Sequence, residues 1–253
     1  MSWRQTKDAP FYVGYLNAVP KPLVTFLAVF ALCFTGGLGL AALALSSTQN
    51  DPGSGGFQGG NRFENVGILE LRPYPVLRVA ADGETAARTY MLAGQGKRGA
   101  FNQAEKHGST PVTLRGVPVN RGDLTMLQVG RVEAAENADT SFTPSEPVPL
   151  GRWKLTGEIC DGKCYAGAMR PGRGLAHKAC ADLCLTGGIP PVFVSSGSVE
   201  NRNFFLMADK DGNLLGDEIK PLLALYVELE GDVERLDDLM VFKVDLARAR
   251  ILK

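Results

Sequence analysis

The sequence predicts a mainly β protein in which an N-terminal transmembrane helix precedes two tandem small β-barrels. Three observations lead to this prediction. The run from Leu23 to Leu45 contains no charged residue. In the rest of the chain, a pattern of apolar residues and glycines recurs at a constant offset of 115 residues. The 30 glycines and 15 prolines indicate many turns, which favours short strands over long helices.

The uncharged run is long enough to cross a membrane. As a helix that rises ~1.5 Å per residue it covers about 35 Å, more than the ~30 Å hydrocarbon core of a bilayer. It is longer than the apolar core of a cleaved signal peptide, so we expect an uncleaved transmembrane helix over residues 22–46. Three basic residues precede it, whereas the first basic residue after it is Arg62. The positive-inside rule therefore predicts a single-pass protein of a bacterial inner membrane, with a cytoplasmic leader over residues 1–21 and a periplasmic globular part.

Composition narrows the remaining function classes. Residues 47–61 are rich in glycine and serine, which predicts a flexible linker after the helix. The formal net charge is zero, from 27 basic and 27 acidic residues, so no basic surface for nucleic acid is expected. The chain has only two histidines and lacks the common hydrolase and metalloprotease motifs, so the sequence predicts no catalytic residue.

The internal repeat predicts the architecture of the globular part. It aligns Val112–Val129 with Val227–Val244 without a gap. Each copy reads as three strands, a short helix and two further strands joined by a polar turn. This is the element order of a small five-stranded barrel of the OB type. We therefore predict two OB-like domains, over residues 62–149 and 150–253.

The repeat also locates the cysteines. The offset between the first strands, at Gly67 and Gly157, is 90 residues, whereas it is about 115 from the second strand onward. The second copy therefore has about 25 additional residues, which we assign to a Cys/His-rich insertion over residues 160–187. This insertion connects the first two strands, and that connection often carries binding function in OB-type barrels.

The insertion contains a candidate metal site. His177, Cys180 and Cys184 are spaced i, i+3 and i+7, which is one face of a helix. With Cys164 they form a Cys3His set, the composition of a closed tetrahedral zinc site. Thiolates also suit copper(I), so zinc or copper is the expected ion.

Two alternatives use the same residues. Disulfides among Cys160, Cys164, Cys180 and Cys184 are expected if the segment lies outside the cytoplasm. Three pairings exist, and a hairpin arrangement joins Cys160 with Cys184 and Cys164 with Cys180. The other alternative is a reactive thiol near a helix start, beside the positive charge of a neighbouring side chain.

The segment over residues 163–191 reads KCYAGAMRPGRGLAHKACADLCLTGGIPP. Its KCY…PGxG…HxxCAxxC…GGIPP pattern resembles that of a set of uncharacterised bacterial membrane-anchored extracytoplasmic proteins, in which OB-like strands follow the signature. The resemblance implies an envelope accessory protein and supplies no activity. Cys160 is additional to the pattern, which favours the Cys3His set over a four-cysteine disulfide scheme.

Two functional hypotheses follow. In the first, the chain is a non-enzymatic accessory subunit whose OB-like domains bind a larger membrane redox or respiratory complex, or its periplasmic electron carrier. In the second, it is a metal-binding or thiol-redox envelope protein that uses Cys164, His177, Cys180 and Cys184. Neither hypothesis involves a small-molecule substrate.

Overall fold

The structure is a computed structural model. It describes residues 19, 21–48, 53–60, 62–108, 110–135 and 143–252. The predicted cytoplasmic leader lies outside the described residues, except for residues 19 and 21. The chain divides into two compact units, Met1–Asp51 and Pro52–Lys253, which are described separately.

The first unit contains the helix α1, Lys21–Thr48. Its segment Leu23–Ser46 is long and apolar enough to cross a membrane. None of this segment is buried within the structure, as expected for side chains that lack a protein core to pack against. The hydroxyl of Thr35 donates to the carbonyl of Ala31 at 2.7 Å, so this polar group is satisfied within the helix itself.

The second unit begins with a five-strand barrel. Its elements are β1 (Gly56–Phe57), β2 (Phe63–Glu70), β3 (Val76–Val79), β4 (Arg88–Ala93), α2 (Phe101–Ala104), β5 (Pro111–Arg121) and β6 (Leu124–Ala134). The strands β5, β2, β3, β4 and β6 are paired in that order, and β6 pairs with β5 to close the barrel. The β4–β6 pair is parallel and the other pairs are antiparallel.

A second closed five-strand barrel follows. Its strands are β7 (Val148–Asp161), β8 (Pro191–Val199), β9 (Arg202–Asp209), β10 (Tyr226–Leu236) and β11 (Leu239–Val244). A further short strand, β12 (Arg250–Ile251), pairs with β10 outside the closed barrel. The strands β10, β7, β8, β9 and β11 are paired in that order, and β11 closes on β10. Here too the pair of third and fifth strands, β9–β11, is parallel. A 3-10 helix, Asp217–Leu222, takes the place of α2 between the third and fourth strands.

Strand register confirms the internal repeat. In the first barrel Met91 of β4 pairs with Met126 of β6. In the second barrel Leu206 of β9 pairs with Val241 of β11. Both residues of the second pair follow those of the first at the offset of 115 residues.

The first strands have the smaller offset that the sequence predicts. Gly67 of β2 pairs with Val112 of β5, and Gly157 of β7 pairs with Val227 of β10. The difference between the two offsets lies in the connection from the first strand to the second. In the first barrel that connection covers only residues 71–75, whereas in the second it covers residues 162–190.

Two repeated glycines have a steric explanation. A Cβ on Gly116 would lie 2.7 Å from the carbonyl oxygen of Gln128, and one on Gly231 would lie 2.1 Å from that of Lys243. Each glycine therefore lets the fourth strand approach the backbone of the fifth strand closely.

Three hydrophobic cores hold this unit together. One fills the first barrel around Leu92 and Leu127. A second fills the other barrel, where Phe242 packs against Phe193 and Phe205. The third combines side chains of both barrels with three cysteines, so the barrels share a packed apolar interface. Its members include Met91, Leu124, Met126, Leu206, Leu239, Val241, Cys160, Cys164 and Cys184.

A buried ion pair also joins the barrels. Arg78 of β3, only 2% exposed, donates two hydrogen bonds of 2.9 Å to Asp237 in the β10–β11 turn. Glu70 accepts a further bond from Arg78 at 2.9 Å, and Thr89 donates to Asp237 at 2.7 Å. Burial raises the pKa of Asp237, but the hydrogen bonds from Arg78, Thr89 and Ser145 outweigh burial and leave the pKa below its ordinary value.

Part of the predicted flexible linker is structured. Gly56 pairs with Asn120 of β5 through the short strand β1. A Cβ on Gly55 would lie 2.3 Å from the carbonyl oxygen of Ala166, and one on Gly167 would lie 2.1 Å from the nitrogen of Gly56. The prediction of a linker over residues 47–61 is therefore wrong for this part, because its glycines permit close contact with the second barrel.

Candidate metal centre

The long connection between β7 and β8 is mostly helical. It contains a π-helical turn, Cys164–Ala168, then a 3-10 turn, Leu175–His177, and the helix α3, Lys178–Thr186. The helix ends where Gly188 adopts a φ of +88°, a conformation that glycine reaches without strain.

Three cysteine sulfurs meet in this connection. The Sγ atoms of Cys164, Cys180 and Cys184 all lie within 4.8 Å of one another. Cys180 and Cys184 are one turn apart on α3, so they share a face of that helix. The sulfur of Cys164, at the start of the π-helical turn, lies 3.8 Å from that of Cys184. Cys164 and Cys184 are buried, whereas Cys180 is partly exposed.

A lysine of the first barrel reaches this thiol cluster. The Nζ atom of Lys97 lies 2.6 Å from the sulfur of Cys180 and 3.7 Å from that of Cys184. The hydrogen bond to Cys180 raises the pKa of Lys97, so the ammonium form is favoured. The site is thus built from both barrels and includes a positive charge.

The loop that carries Lys97 is held against the connection by backbone contacts. The N–H of Gly99 donates to the carbonyl of Gly187 at 2.8 Å. The Nζ atom of Lys163 donates to the carbonyls of Gly94 and Gly96 at 2.6 and 3.0 Å. Lys163 is buried, and desolvation lowers its pKa. These bonds fix the loop where Lys97 contacts the cysteines.

His177 has a different partner from the one predicted. Its Nε2 atom lies 2.8 Å from Oδ2 of Asp161, and both side chains are buried. The other carboxylate oxygen, Oδ1, accepts a hydrogen bond from the backbone N–H of Cys164 at 2.8 Å. Asp161, Cys164 and His177 form a second triplet with ligand atoms within 4.8 Å. Within the described part of the chain, the four predicted ligands are therefore distributed over two triplets that share Cys164.

The thiol pair Cys164 and Cys184 is electrostatically coupled. The hydrogen bond between the two sulfurs raises the pKa of Cys164 and lowers that of Cys184, because the neutral thiol of one stabilises the thiolate of the other. Burial raises the pKa of Cys164 further, and the charge of Lys97 contributes to the lowering at Cys184. Cys184 is therefore the more acidic thiol of the pair.

Cys160 takes no part in the cluster. It is 1% exposed, and its sulfur donates to Glu158 at 3.4 Å. Burial raises the pKa of Cys160, which makes it an inert thiol. All five cysteines of the chain belong to the described residues and all are free thiols, so the expected disulfides have no support.

Met169 and an adjacent groove form the open side of the site. The sulfur of Cys180 lies 3.3 Å from that of Met169, which is 42% exposed. A groove of about 650 Å³ runs beside the loop over residues 94–99 and is also lined by Gly187. Lys97 both lines this groove and contacts the partly exposed thiol of Cys180.

Sequence reasoning found the three cysteines but missed Lys97 and Asp161. The Gly94–Gly99 segment is basic and rich in glycine, and nothing in its local sequence connects Lys97 with a cysteine 83 residues away. Asp161 follows Cys160 directly in the sequence. Its position beside a cysteine was the available sign that a carboxylate belongs to the site.

No family model, curated protein or solved structure matches this chain. The resemblance indicated by the KCY…GGIPP pattern therefore stays a prediction.

Proposed function

We propose that this chain is a membrane-anchored envelope protein that holds one copper(I) ion on the thiolates of Cys164, Cys180 and Cys184. The observation that carries the proposal is the thiol cluster itself, with three sulfurs within 4.8 Å of one another. Thiolates and thioethers are soft ligands that select copper(I), and Met169 places a thioether 3.3 Å from Cys180.

Copper(I) fits this ligand set better than zinc. A structural zinc site is closed by four protein ligands. The expected fourth ligand was His177, and its Nε2 atom is hydrogen-bonded to the buried carboxylate of Asp161. The ligand atoms that remain around Cys180 are three cysteine sulfurs and the thioether of Met169, and a thioether is a ligand that suits copper(I).

Lys97 has a defined part in this function. In the metal-free protein its ammonium group donates a hydrogen bond to the sulfur of Cys180, over a distance of 2.6 Å. A cation held by the sulfurs would repel the ammonium group, so Lys97 would move away from Cys180 when copper(I) binds. Metal binding is thereby linked to the position of the loop over residues 94–99.

The location and fold type belong to the same proposal. In this proposal the helix α1 serves as the anchor, and the basic residues before it support a cytoplasmic N-terminus and periplasmic barrels under the positive-inside rule. The barrels are of the OB type, which is supported by the pairing of the first strand with both the second and the fourth. A short helix between the third and fourth strands also supports it.

A partner complex is the second candidate function. The predicted partner is a larger membrane redox or respiratory complex, or a periplasmic electron carrier. Two leucines favour it, because Leu175 and Leu183 are 69% and 58% exposed on the same connection as the cysteines. Native electrophoresis of detergent-solubilised membranes tests this candidate. Co-migration with a larger complex supports it, and migration as a free monomer contradicts it.

The copper proposal is tested on the reduced, full-length chain in detergent micelles. An anaerobic titration with copper(I), against a chromophoric copper(I) chelator, should give one tightly bound ion per chain. The variants Cys164→Ser and Cys184→Ser should lose it. Cys160→Ser is the matched control, because it removes a buried thiol of the same region that lies outside the cluster. Equal binding by the wild type and a variant that lacks all three clustered cysteines would overturn the proposal.

A further inference from the structure

We propose that Cys164 and Cys184 form a reversible disulfide that switches the metal site off. The pairing differs from the hairpin arrangement that the sequence suggested, in which Cys184 joins Cys160. The regulatory consequence rests on the proposed function, whereas the bond itself does not.

Geometry selects this pair among the four cysteines of the second barrel. The two sulfurs are 3.8 Å apart and in direct contact. A disulfide has an S–S length of about 2.05 Å, so closure requires a movement of roughly 1.8 Å. Cys164 lies in the short π-helical turn and Cys184 on α3, so a small shift of that turn brings the sulfurs together. The sulfur of Cys160 instead contacts Glu158.

Access to the buried pair runs through Cys180. Cys164 and Cys184 are 5% and 1% exposed, so a dissolved oxidant does not reach them directly. Cys180 is partly exposed, contacts Lys97 of the open groove, and has its sulfur within 4.8 Å of both others. It is therefore the entry point, and the other two sulfurs are within reach for exchange.

The oxidant in this scheme is a small-molecule disulfide, RSSR. The thiolate of Cys180 attacks one sulfur of RSSR, which forms a mixed disulfide and releases one thiol RSH. The thiolate of Cys184 then attacks the sulfur of Cys180 and releases the second RSH. Finally Cys164 attacks Cys184, which forms the Cys164–Cys184 bond and restores the Cys180 thiol. Overall two protein thiols lose two electrons and two protons, and RSSR gains both to become two RSH.

Formation of the Cys164–Cys184 bond removes two of the three proposed metal ligands. A lone thiol at Cys180 beside the Lys97 ammonium is a poor site for a cation. The oxidised protein should therefore lose stoichiometric copper(I) binding, and a reductant should restore it.

The pairing is tested by treating the metal-free, full-length chain in detergent with oxidised glutathione. Remaining thiols are alkylated, the protein is digested with trypsin without reduction, and cross-linked peptides are identified by mass spectrometry. We expect a bond between the peptide that contains Cys164 and the one that contains both Cys180 and Cys184. Fragmentation should locate the alkyl group on Cys180. A bridge to Cys160, or a lasting glutathione adduct on Cys180 without a bridge, would overturn the inference.

A variant tests the entry route. Cys180→Ser should slow bridge formation at least tenfold but leave the Cys164–Cys184 bond as the final product. Unchanged kinetics would contradict the route through Cys180.

The two proposals fail in distinguishable ways. Copper(I) binding by the reduced protein without a Cys164–Cys184 bond after oxidation would contradict only the switch. Formation of that bond in a protein that binds no copper(I) when reduced would contradict only the proposed function.

Discussion

The two barrels of the second unit are alike in strand order and register but differ in the connection between their first two strands. In the first barrel residues 71–75 make that connection, and in the second residues 162–190 make it. The repeated parts fill the core of each barrel, and together with the longer connection they build the shared interface. The candidate chemistry lies in the part that is not repeated. A duplicated barrel thus supplies a rigid frame, while the longer connection supplies the ligands.

The barrels differ also in their corresponding turns. In the second barrel the turn between the last two strands buries Asp237 against Arg78 of the first barrel. In the first barrel the corresponding turn places Asp123 against Arg202, and these side chains are 27% and 34% exposed. One of the two ion pairs between the barrels is therefore buried and the other is partly exposed. We expect the buried pair to contribute more to the association of the barrels. This asymmetry leads to the first prediction.

Arg78→Ala should produce the largest loss of stability. It leaves the carboxylate of Asp237 buried without its bidentate partner, and breaking one side of a buried ion pair typically costs about 3–5 kcal/mol. Urea unfolding of the full chain in detergent measures the effect. The control is Arg115→Ala, whose partner Glu64 is 53% exposed, and which should cost at most about 1 kcal/mol. Equal losses in the two variants would show that the buried contact does not join the barrels.

Gly187→Ala should have an intermediate effect. A Cβ at this position would lie 1.8 Å from the carbonyl oxygen of Lys97, so the loop of the first barrel must move away from α3. Such overpacking typically costs about 1–3 kcal/mol. Gly197→Ala is the control, since a Cβ there has no atom within 4 Å among the described residues. Urea unfolding of both variants should separate them, and matching midpoints would contradict the close approach.

Lys97→Met should have the smallest effect of the three variants. It tests whether the first barrel contributes to the reactivity of Cys180. The ammonium group is hydrogen-bonded to the Cys180 sulfur and balances the charge of the thiolate that attacks an alkylating reagent. Without it, alkylation of Cys180 by iodoacetamide at neutral pH should slow roughly three- to tenfold. Peptide mass spectrometry follows the rate at this residue. Arg98→Met removes a charge from the same loop and should leave the rate unchanged, so equal slowing in both variants would argue against the contact.

Much of the architecture of the two barrels was predictable from the sequence, because the order of their strands follows from alternating apolar residues and from the internal repeat. The offset of 115 residues, with glycines where a strand backbone approaches closely, predicted which strands correspond. Gly231, for instance, has no space for a Cβ beside Lys243. The span over residues 22–46 followed from length and apolar character alone and agrees with the observed α1.

The details of the site were not predictable in the same way. Helical spacing predicted that His177 lies on the same face as Cys180. In the structure, the imidazole of His177 is instead hydrogen-bonded to the buried carboxylate of Asp161. Lys97 reaches the cysteines only because the barrels pack against each other, and a single copy of the repeat contains no sign of that packing. The glycines of the predicted linker were interpreted as flexibility, whereas Gly55 packs against Ala166 of the π-helical turn with no space for a Cβ.

X-ray absorption spectroscopy on the copper(I)-loaded, full-length protein in detergent tests the central claim most directly, because it reports the atoms bound to the metal. We expect one copper(I) per chain with sulfur as the only ligand type, and loss of that signal in Cys164→Ser and Cys184→Ser. Coordination by nitrogen or oxygen alone, or an unchanged spectrum when all three clustered cysteines are replaced by serine, would contradict it.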